Sequence, residues 1–289
     1  MAPSCEERIL LGLIGAPIAH SASPAMHEAA AAALGFRCFY HLIEVAGADR
    51  AKLRLMVEGV RALKFAGVNV TYPYKEAVAP LLDELAPSAA DVGAVNTIAV
   101  RAGRLIGFNT DRSGFAKGAR RTLGDIAGQG VALFGAGGVG KAIGAALIGA
   151  GVKDIRIVDR EPAKARALAD VLSARNVAAK PCASADEALE GVHGLINATA
   201  VGMLPSRESP VPLSLLRGDL WVADAVYQPL RTPLLAAPRD KGAKVMTGRE
   251  LAIDQAIDAF EIFTGRIASR EAMTAAFDQV IKKRQEALT

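Results

Sequence analysis

Short apolar runs recur along the chain and alternate with longer stretches of helical character. Residues 9–14 form the first predicted strand. A Gly-, Pro- and Ser-rich loop at 15–24 follows, and then an Ala-rich helix over 25–34. Strands over 38–45 and 67–71 bracket a helix over 52–63. Pro73 restricts Tyr72 and opens a further helix over 75–85. Residues 95–101 and 104–107, separated by Ala102-Gly103, read as a hairpin. After a helix over 113–123 the strand–helix–strand pattern resumes, with strands at 131–134, 155–158, 194–198, 220–223 and 244–246. Two helices, over 249–263 and 269–282, close the chain. Strands alternating with helices imply an α/β protein with mainly parallel sheets. Two domains are expected. One spans residues 1–111 and is completed by the returning helices of 249–289, and the other is a Rossmann-like dinucleotide-binding domain at 112–248. The expected place for a small-molecule site is the cleft between them.

The second domain carries the most specific local signal. Gly135-Ala136-Gly137-Gly138-Val139-Gly140 lies between the strand 131–134 and a helix beginning near Lys141. Gly135 allows the tight turn, Gly137 lets the backbone approach a pyrophosphate, and Gly140 lets the helix pack on the strand. The free N–H groups and positive end of the helix then meet the phosphates. Farther on, the strand 155–158 ends in Asp159, where an acidic residue can hydrogen-bond ribose hydroxyls.

Composition narrows the classes. A chain of 289 residues, about half of it hydrophobic (51%), has ample core for two domains. A formal charge of +4 suits anionic small molecules, and no dense Lys/Arg stripe argues for nucleic acid. Lys282-Lys283-Arg284 reads as a solvated helix end. Cys5, Cys38 and Cys182 are scattered, without a C-x-x-C, so neither a disulfide framework nor a metal site is expected, and a reducing cytoplasm is the simple reading. Glu6-Glu7-Arg8 before a short apolar run does not fit a secretory signal, and no segment approaches the length of a membrane span.

Four polar clusters exceed what strand or helix propensity requires. In His20-Ser21-Ala22-Ser23-Pro24 two hydroxyls spaced i, i+2 can grip a carboxylate, although Ser23 before Pro24 also reads as a helix cap. In Asn69-Val70-Thr71-Tyr72-Pro73-Tyr74-Lys75 a lysine just inside a helix start opposes the dipole, which suits proton transfer, while most lysines are simply surface groups. Gly93-Ala94-Val95-Asn96-Thr97 and Gly107-Phe108-Asn109-Thr110-Asp111 each set an amide and a hydroxyl near a strand end, and the latter is also a capping sequence.

In this order, and followed by the glycine loop, these clusters resemble the shikimate/quinate dehydrogenases. The resemblance extends over nearly the whole chain, through His27, Asn197-Ala198-Thr199-x-x-Gly202-Met203, Asp224-x-x-Tyr227-x-Pro229-x-x-Thr232 and Gly248-Arg249-Glu250-Leu251-x-x-x-Gln255. It implies that the N-terminal α/β domain binds substrate. It also implies a catalytic pair, Lys75 and Asp111, a carboxylate grip of Ser21 and Ser23, and ring-hydroxyl partners Asn69, Thr71, Asn96, Asp111 and Gln255, with Tyr227 nearby. The cofactor side is then Gly135, Ala136, Gly137, Gly138, Val139, Gly140, Asp159, Arg160, Thr199 and Gly248, with no metal. Many biosynthetic members prefer NADP and carry Asn-Arg-Thr at the end of the second Rossmann strand. Here Asp159-Arg160-Glu161 places two carboxylates against a 2′-phosphate, and Arg160 can stack on adenine, so NAD is expected. The implied activity is reversible oxidation of shikimate and/or quinate, and Ser23, where quinate-accepting relatives often have threonine, favours shikimate. Expected partners are these small molecules, with neither nucleic acid nor membrane, in a monomer or homodimer. The alternatives are an NADP-linked biosynthetic shikimate dehydrogenase and a nucleotide-sensing protein without catalysis, which would lack a member of the Lys75/Asp111 pair.

Overall fold

The computed structural model describes residues 7–287, so Cys5 lies outside the described residues. The chain runs through β1 (Arg8–Gly15), α1 (Ser23–Ala33), β2 (Arg37–Glu44), α2 (Arg50–Ala62) and β3 (Gly67–Val70). Two short elements follow, β4 (Glu84–Leu85) and α3 (Pro87–Ala90), and then β5 (Thr97–Arg101) and β6 (Arg104–Phe108). These strands form one sheet in the order β2-β1-β3-β5-β6-β4. β1 is parallel to β2 and β3, whereas β5 is antiparallel to both β3 and β6. The sheet is therefore mixed rather than mainly parallel, for a local reason. Ala102 and Gly103 both have positive φ, 48° and 76°, as a tight two-residue hairpin turn requires.

The expected helix over 75–85 does not form. Residues 75–78 are turns, a single 3₁₀ turn covers Ala79–Leu81, and Glu84–Leu85 pairs with β6. Pro80 explains this, because inside an α-helix it would remove one hydrogen bond and clash with the carbonyl four residues back. Asp83 then holds the segment in place, its Oδ2 accepting from Leu105 N at 2.7 Å and from Arg61 Nη2 at 3.0 Å. Lys75 is consequently not at a helix N-terminus, and the dipole argument for its chemistry falls away. Under the sheet, α2 starts on Asp49, whose Oδ1 accepts from Lys52 N at 2.8 Å, and buries Leu53, Val57 and Val60 against Ile14, Val68, Val70 and Ile98.

The second part contains α4 (Asp111–Thr122), β7 (Gly130–Phe134), α5 (Gly138–Gly149), β8 (Asp154–Val158), α6 (Pro162–Ser173), β9 (Ala178–Pro181), α7 (Ala185–Leu189), β10 (Gly194–Asn197), β11 (Trp221–Asp224), α8 (Pro233–Asp240) and β12 (Val245–Met246). The chain ends in α9 (Gly248–Thr264) and α10 (Arg270–Ala287). All six strands are parallel, in the order β12-β11-β10-β7-β8-β9, which is the doubly wound arrangement of dinucleotide-binding folds. Apolar clusters lie on both faces. Val131, Leu133, Ile155 and Ile157 pack with Ile143, Leu147 and Leu168, and Ala132, Leu195 and Val222 pack with Leu189, Leu234 and Leu235. Two compact units result: residues up to Thr110 with those from Gln255 onward, and Asp111–Asp254. The return to the first unit falls inside α9, not at its start. Cys38 and Cys182 are buried and free, and no described helix is long and apolar enough to cross a membrane.

Candidate active site

The polar clusters of the first unit hang from one edge of its sheet. Ser21 and Ser23 follow β1, Asn69 to Lys75 end or follow β3, Asn96 precedes β5, and Asn109 and Thr110 follow β6. The antiparallel hairpin is what brings the start of β5 beside the ends of β1, β3 and β6. Gly15 lets the chain close there, since a Cβ on it would lie 2.3 Å from Thr71 Cγ2.

Ser23 is not a helix cap. Ala22 holds that position with no side-chain bond, and Pro24 in the first turn has no N–H to donate. Ser21 Oγ accepts from Ser23 N at 3.2 Å and donates to Ser23 Oγ at 3.1 Å. The two hydroxyls therefore sit together at the positive end of an 11-residue helix, a setting that favours an anion.

Behind them runs a buried amide–hydroxyl network. Asn69 Nδ2 donates to the Asn96 carbonyl and to Thr97 Oγ1, both at 3.1 Å, and Asn69 Oδ1 accepts from the Tyr40 hydroxyl at 2.9 Å. Both amide protons are thus used within the protein, so Asn69 meets a ligand only as an acceptor. Asn96 Oδ1 accepts from Thr110 N at 2.8 Å and Thr97 Oγ1 at 2.9 Å. A backbone N–H can only donate, so it settles which end of this amide is oxygen. Asn96 Nδ2 then donates to Thr110 Oγ1 at 2.9 Å and reaches Gln255 Oε1 at 3.5 Å. Lys75 is half-buried, and its carbonyl accepts from Val95 N at 2.7 Å, which ties its backbone to the approach to Asn96. Asp111 is 5% exposed and opens α4 in the second unit.

In that unit the parallel strands end at a common edge. Gly135 has φ +103°, and Gly140 lies so close to the turn that a Cβ there would meet the Gly135 carbonyl oxygen at 1.9 Å. Gly137 differs: its φ of −77° suits any residue and nothing lies within 4 Å of a Cβ, so neither strain nor internal packing demands glycine. Close approach of an outside group to the backbone at the start of α5 is the remaining physical reason, and it fits a pyrophosphate. Gly140→Ala is expected to destabilise the protein by about 3 kcal/mol, the upper end of an overpacking penalty, because the opposing atom is backbone and cannot rotate away. An unfolding curve in denaturant checks this, and an unchanged midpoint would remove the packing argument.

Asp159 follows β8 and is already oriented. Its Oδ2 accepts from Ala136 N in the glycine loop at 2.7 Å, and its Oδ1 accepts from Glu161 N at 2.9 Å. A carboxylate retains lone pairs after two such bonds, so the ribose hydroxyls can still donate to it. Arg160 is exposed, and Gly138 and Val139, the first residues of α5, are part-buried. Glu161 is paired to Lys164 at 2.6 Å. Thr199 donates from N and Oγ1 to Asn197 Oδ1, at 3.0 and 2.7 Å. Gly248 has a packing reason: a Cβ would meet the carbonyl oxygens of Val226 and Ala225 at 2.5 and 2.6 Å. The adjacent Thr247 and Glu250 form a capping box, Thr247 N and Oγ1 donating to Glu250 Oε2 at 3.0 and 2.7 Å, which accounts for Glu250 without ligand contact.

Several residues gain parts that the sequence did not assign. Tyr40 holds Asn69, Thr97 and Thr110 complete the amide network, and Asn197, Asp224 and Thr232 form a second buried cluster. Five of these lie inside the quoted motifs. Tyr40 had one weak signal, a buried tyrosine needing a partner on an otherwise alternating strand. Two of the groups whose protonation is shifted lie in or against these clusters. Burial pushes Asp224 up to about 6, against hydrogen bonds from Thr232, Val226 and Asn197. Burial alone lowers His27 to about 3; it stacks on Tyr40 at 4.9 Å, and neither ring nitrogen has a hydrogen-bond partner. Among the described residues no group of three or more His, Cys, Asp or Glu side chains is placed to hold a metal ion.

Comparison with known proteins bears on the family and the fold. The family model described as the shikimate dehydrogenase substrate binding domain matches residues 13–98, and that described as shikimate/quinate 5-dehydrogenase matches residues 117–207. The quinate/shikimate dehydrogenase (NAD(+)) of Corynebacterium efficiens is 41% identical over 279 residues, 94% of this chain and 98% of its own. The shikimate dehydrogenase (NADP(+)) of Streptomyces avermitilis is 40% identical over 268 residues, 90% of this chain and 92% of its own. Among solved structures, the quinate dehydrogenase from Corynebacterium glutamicum in complex with NAD has a TM-score of 0.86 at 38% identity, covering 94% of this chain and 100% of that one.

Proposed function

We infer the activity from one premise: the chain belongs to the shikimate/quinate dehydrogenase family. It is an NAD-dependent alcohol oxidoreductase that reversibly oxidises the ring secondary alcohol of shikimate or quinate to the corresponding 3-dehydro acid. The observation that carries this reading is the gathering of Ser21, Ser23, Asn69, Thr71, Asn96 and Gln255 at one sheet edge. A ring with several hydroxyls and one carboxylate needs neutral hydrogen-bond partners and an anion site, and this edge offers both.

Bound NAD supplies the hydride acceptor. The chain's own groups bind, orient and move one proton. Ser21 and Ser23 take the substrate carboxylate at the start of α1. Asn69 accepts from a ring hydroxyl, and Thr71, Asn96, Gln255 and Tyr227 complete the recognition of the ring. Lys75 takes the proton of the reacting hydroxyl on oxidation and returns it on reduction. Asp111 is the other member of the pair that the family resemblance implies. The backbone N–H groups of 137–140, at the start of α5, would receive the pyrophosphate, Asp159 the ribose hydroxyls, Arg160 the adenine face, and Thr199 the nicotinamide side.

Asp159 supports NAD over NADP, and relatives named for either cofactor lie at similar identity. Initial rates for shikimate and quinate, each with NAD⁺ and NADP⁺, test the reading. The kcat/KM for NAD⁺ is expected to exceed that for NADP⁺ by roughly tenfold or more, ~1.4 kcal/mol of discrimination. Equal or better use of NADP⁺ overturns the cofactor assignment, and no turnover of either acid overturns the activity.

A further inference from the structure

Asp224 closes β11 and is 2% exposed, yet among the described residues no cation contributes to its electrostatics. Every group in contact with its carboxylate is a neutral donor. Oδ1 accepts from Asn197 Nδ2 at 2.9 Å and from Val226 N at 2.9 Å, and Oδ2 accepts from Thr232 Oγ1 at 2.7 Å. Those three donors come from different segments. Asn197 ends β10, and its Oδ1 orients Thr199 while its Nδ2 also donates to Val201 O at 3.0 Å. Val226 and Thr232 flank the loop that carries Tyr227. A backbone bond from Leu204 N to Gln228 O at 2.9 Å joins the same two segments farther out.

We propose that Asp224 is a positioning residue, whose carboxylate sets from one buried point both the Thr199 segment on the cofactor side and the Tyr227 loop on the substrate side. The inference rests on the roles given above to Thr199 and Tyr227. A carboxylate suits this geometry, because it accepts at several lone pairs and lets the Thr232 hydroxyl donate. An asparagine would keep that bond only in reverse, its NH₂ donating to the Thr232 hydroxyl. The three bonds do not fully offset burial, which still raises the group to about 6. A fold selected for stability alone has less demanding ways to fill the space, since buried unpaired charge is unfavourable.

Steady-state kinetics of the full-length enzyme test this. Thr232→Val keeps the volume and removes one donor, Thr232→Ser keeps the donor, and Asp224→Asn reverses one bond. Thr232→Val is expected to raise KM for the ring acid roughly tenfold, on the scale of one lost buried hydrogen bond, with a smaller change in kcat, and Asp224→Asn, which retains the bond in reverse, by less. Thr232→Ser should remain near wild type. In the wild-type protein, NAD alone should slow amide hydrogen exchange across residues 226–232, a measurement that needs no variant. Wild-type KM values in Thr232→Val, equal impairment in Thr232→Ser, or exchange unaffected by NAD would each overturn the proposal. Absence of turnover by the wild type defeats the functional reading itself, whereas normal wild-type turnover with unaltered variants defeats only the part given to Asp224.

Discussion

Lys75→Ala is expected to lower kcat by roughly 10²- to 10⁴-fold, with KM for the ring acid changed far less, because what is lost is proton transfer in the transition state rather than ground-state binding. The expectation no longer draws on a helix dipole, since Pro80 prevents the helix that would supply one. It rests on the lysine's place. Lys75 follows β3 by a short turn, Tyr74 N donating to Thr71 O at 2.9 Å, and its own carbonyl is held by Val95 N. The turn is anchored from below, where the Tyr74 hydroxyl donates to Val45 O at 2.8 Å and accepts from Ala48 N at 2.9 Å. The backbone bearing Lys75 is therefore rigid although the side chain is long, as a positioned acid–base group requires. Removing a half-buried side chain above that anchor should leave the unfolding midpoint close to wild type. Lys75→Arg should not restore turnover, since a guanidinium stays protonated and cannot accept the hydroxyl proton. Stopped-flow or steady-state absorbance of the reduced cofactor measures the effect. Near-normal kcat in Lys75→Ala would take this residue out of the mechanism.

The second large effect concerns stability and acid. His27 lies on α1 among Tyr40, Phe260 and Phe263, with ring centroids 4.9, 6.0 and 5.9 Å away. Burial lowers it from 6.5 to about 3, so the folded protein holds it neutral while the unfolded chain protonates it near 6.5. Between those values the unfolded state binds the extra proton. The stability linked to His27 is therefore intact above pH 6.5 and is lost as pH falls toward 3. At about 1.4 kcal/mol per unit, the full window corresponds to about 5 kcal/mol, and pH 5 to about 2 kcal/mol. Asp224 acts in the opposite sense. Its folded value is raised from 3.8 to about 6, so its contribution is greatest below 4 and declines as pH rises through 6, by about 3 kcal/mol in all. The two trends oppose each other between pH 4 and 6, and the wild-type curve there should look flatter than either. His27→Leu separates them. Relative to wild type it should gain about 2 kcal/mol on going from pH 7.5 to pH 5, because Asp224 titrates in both proteins and cancels in the difference. It also removes two buried ring nitrogens without partners, so a gain is expected at neutral pH as well. Urea denaturation at the two pH values reads the result. A variant whose stability difference from wild type is the same at both would show that His27 does not titrate as its burial requires.

Local signals in the chain were enough for the nucleotide half of the protein. The glycine turn, the helix that follows it and Asp159 at the end of β8 arise within one contiguous βαβ unit, so each could be read from its neighbours. The hairpin at Ala102-Gly103 was legible for the same reason. Short elements without an apolar pattern were not: β9 is a largely exposed edge strand ending in proline, and β4 exists only because it pairs with β6. Local sequence misled over residues 75–85, where helix-favouring residues surround Pro80.

The ring-binding edge needed the tertiary fold. Motif order could name Asn69, Asn96 and Gln255, but only the mixed sheet and the returning α9 join residues 159 positions apart, as Asn96 and Gln255 are. Which protons those amides have left for a ligand depends on Tyr40, Thr97 and the Thr110 backbone, none of them adjacent to Asn69 in the chain. Propensity and turn chemistry act over a few residues and so are written in the sequence. Hydrogen-bond satisfaction, burial and protonation are set by whatever the fold packs around a group, and at Asn69, His27 and Asp224 that surrounding comes from distant parts of the chain.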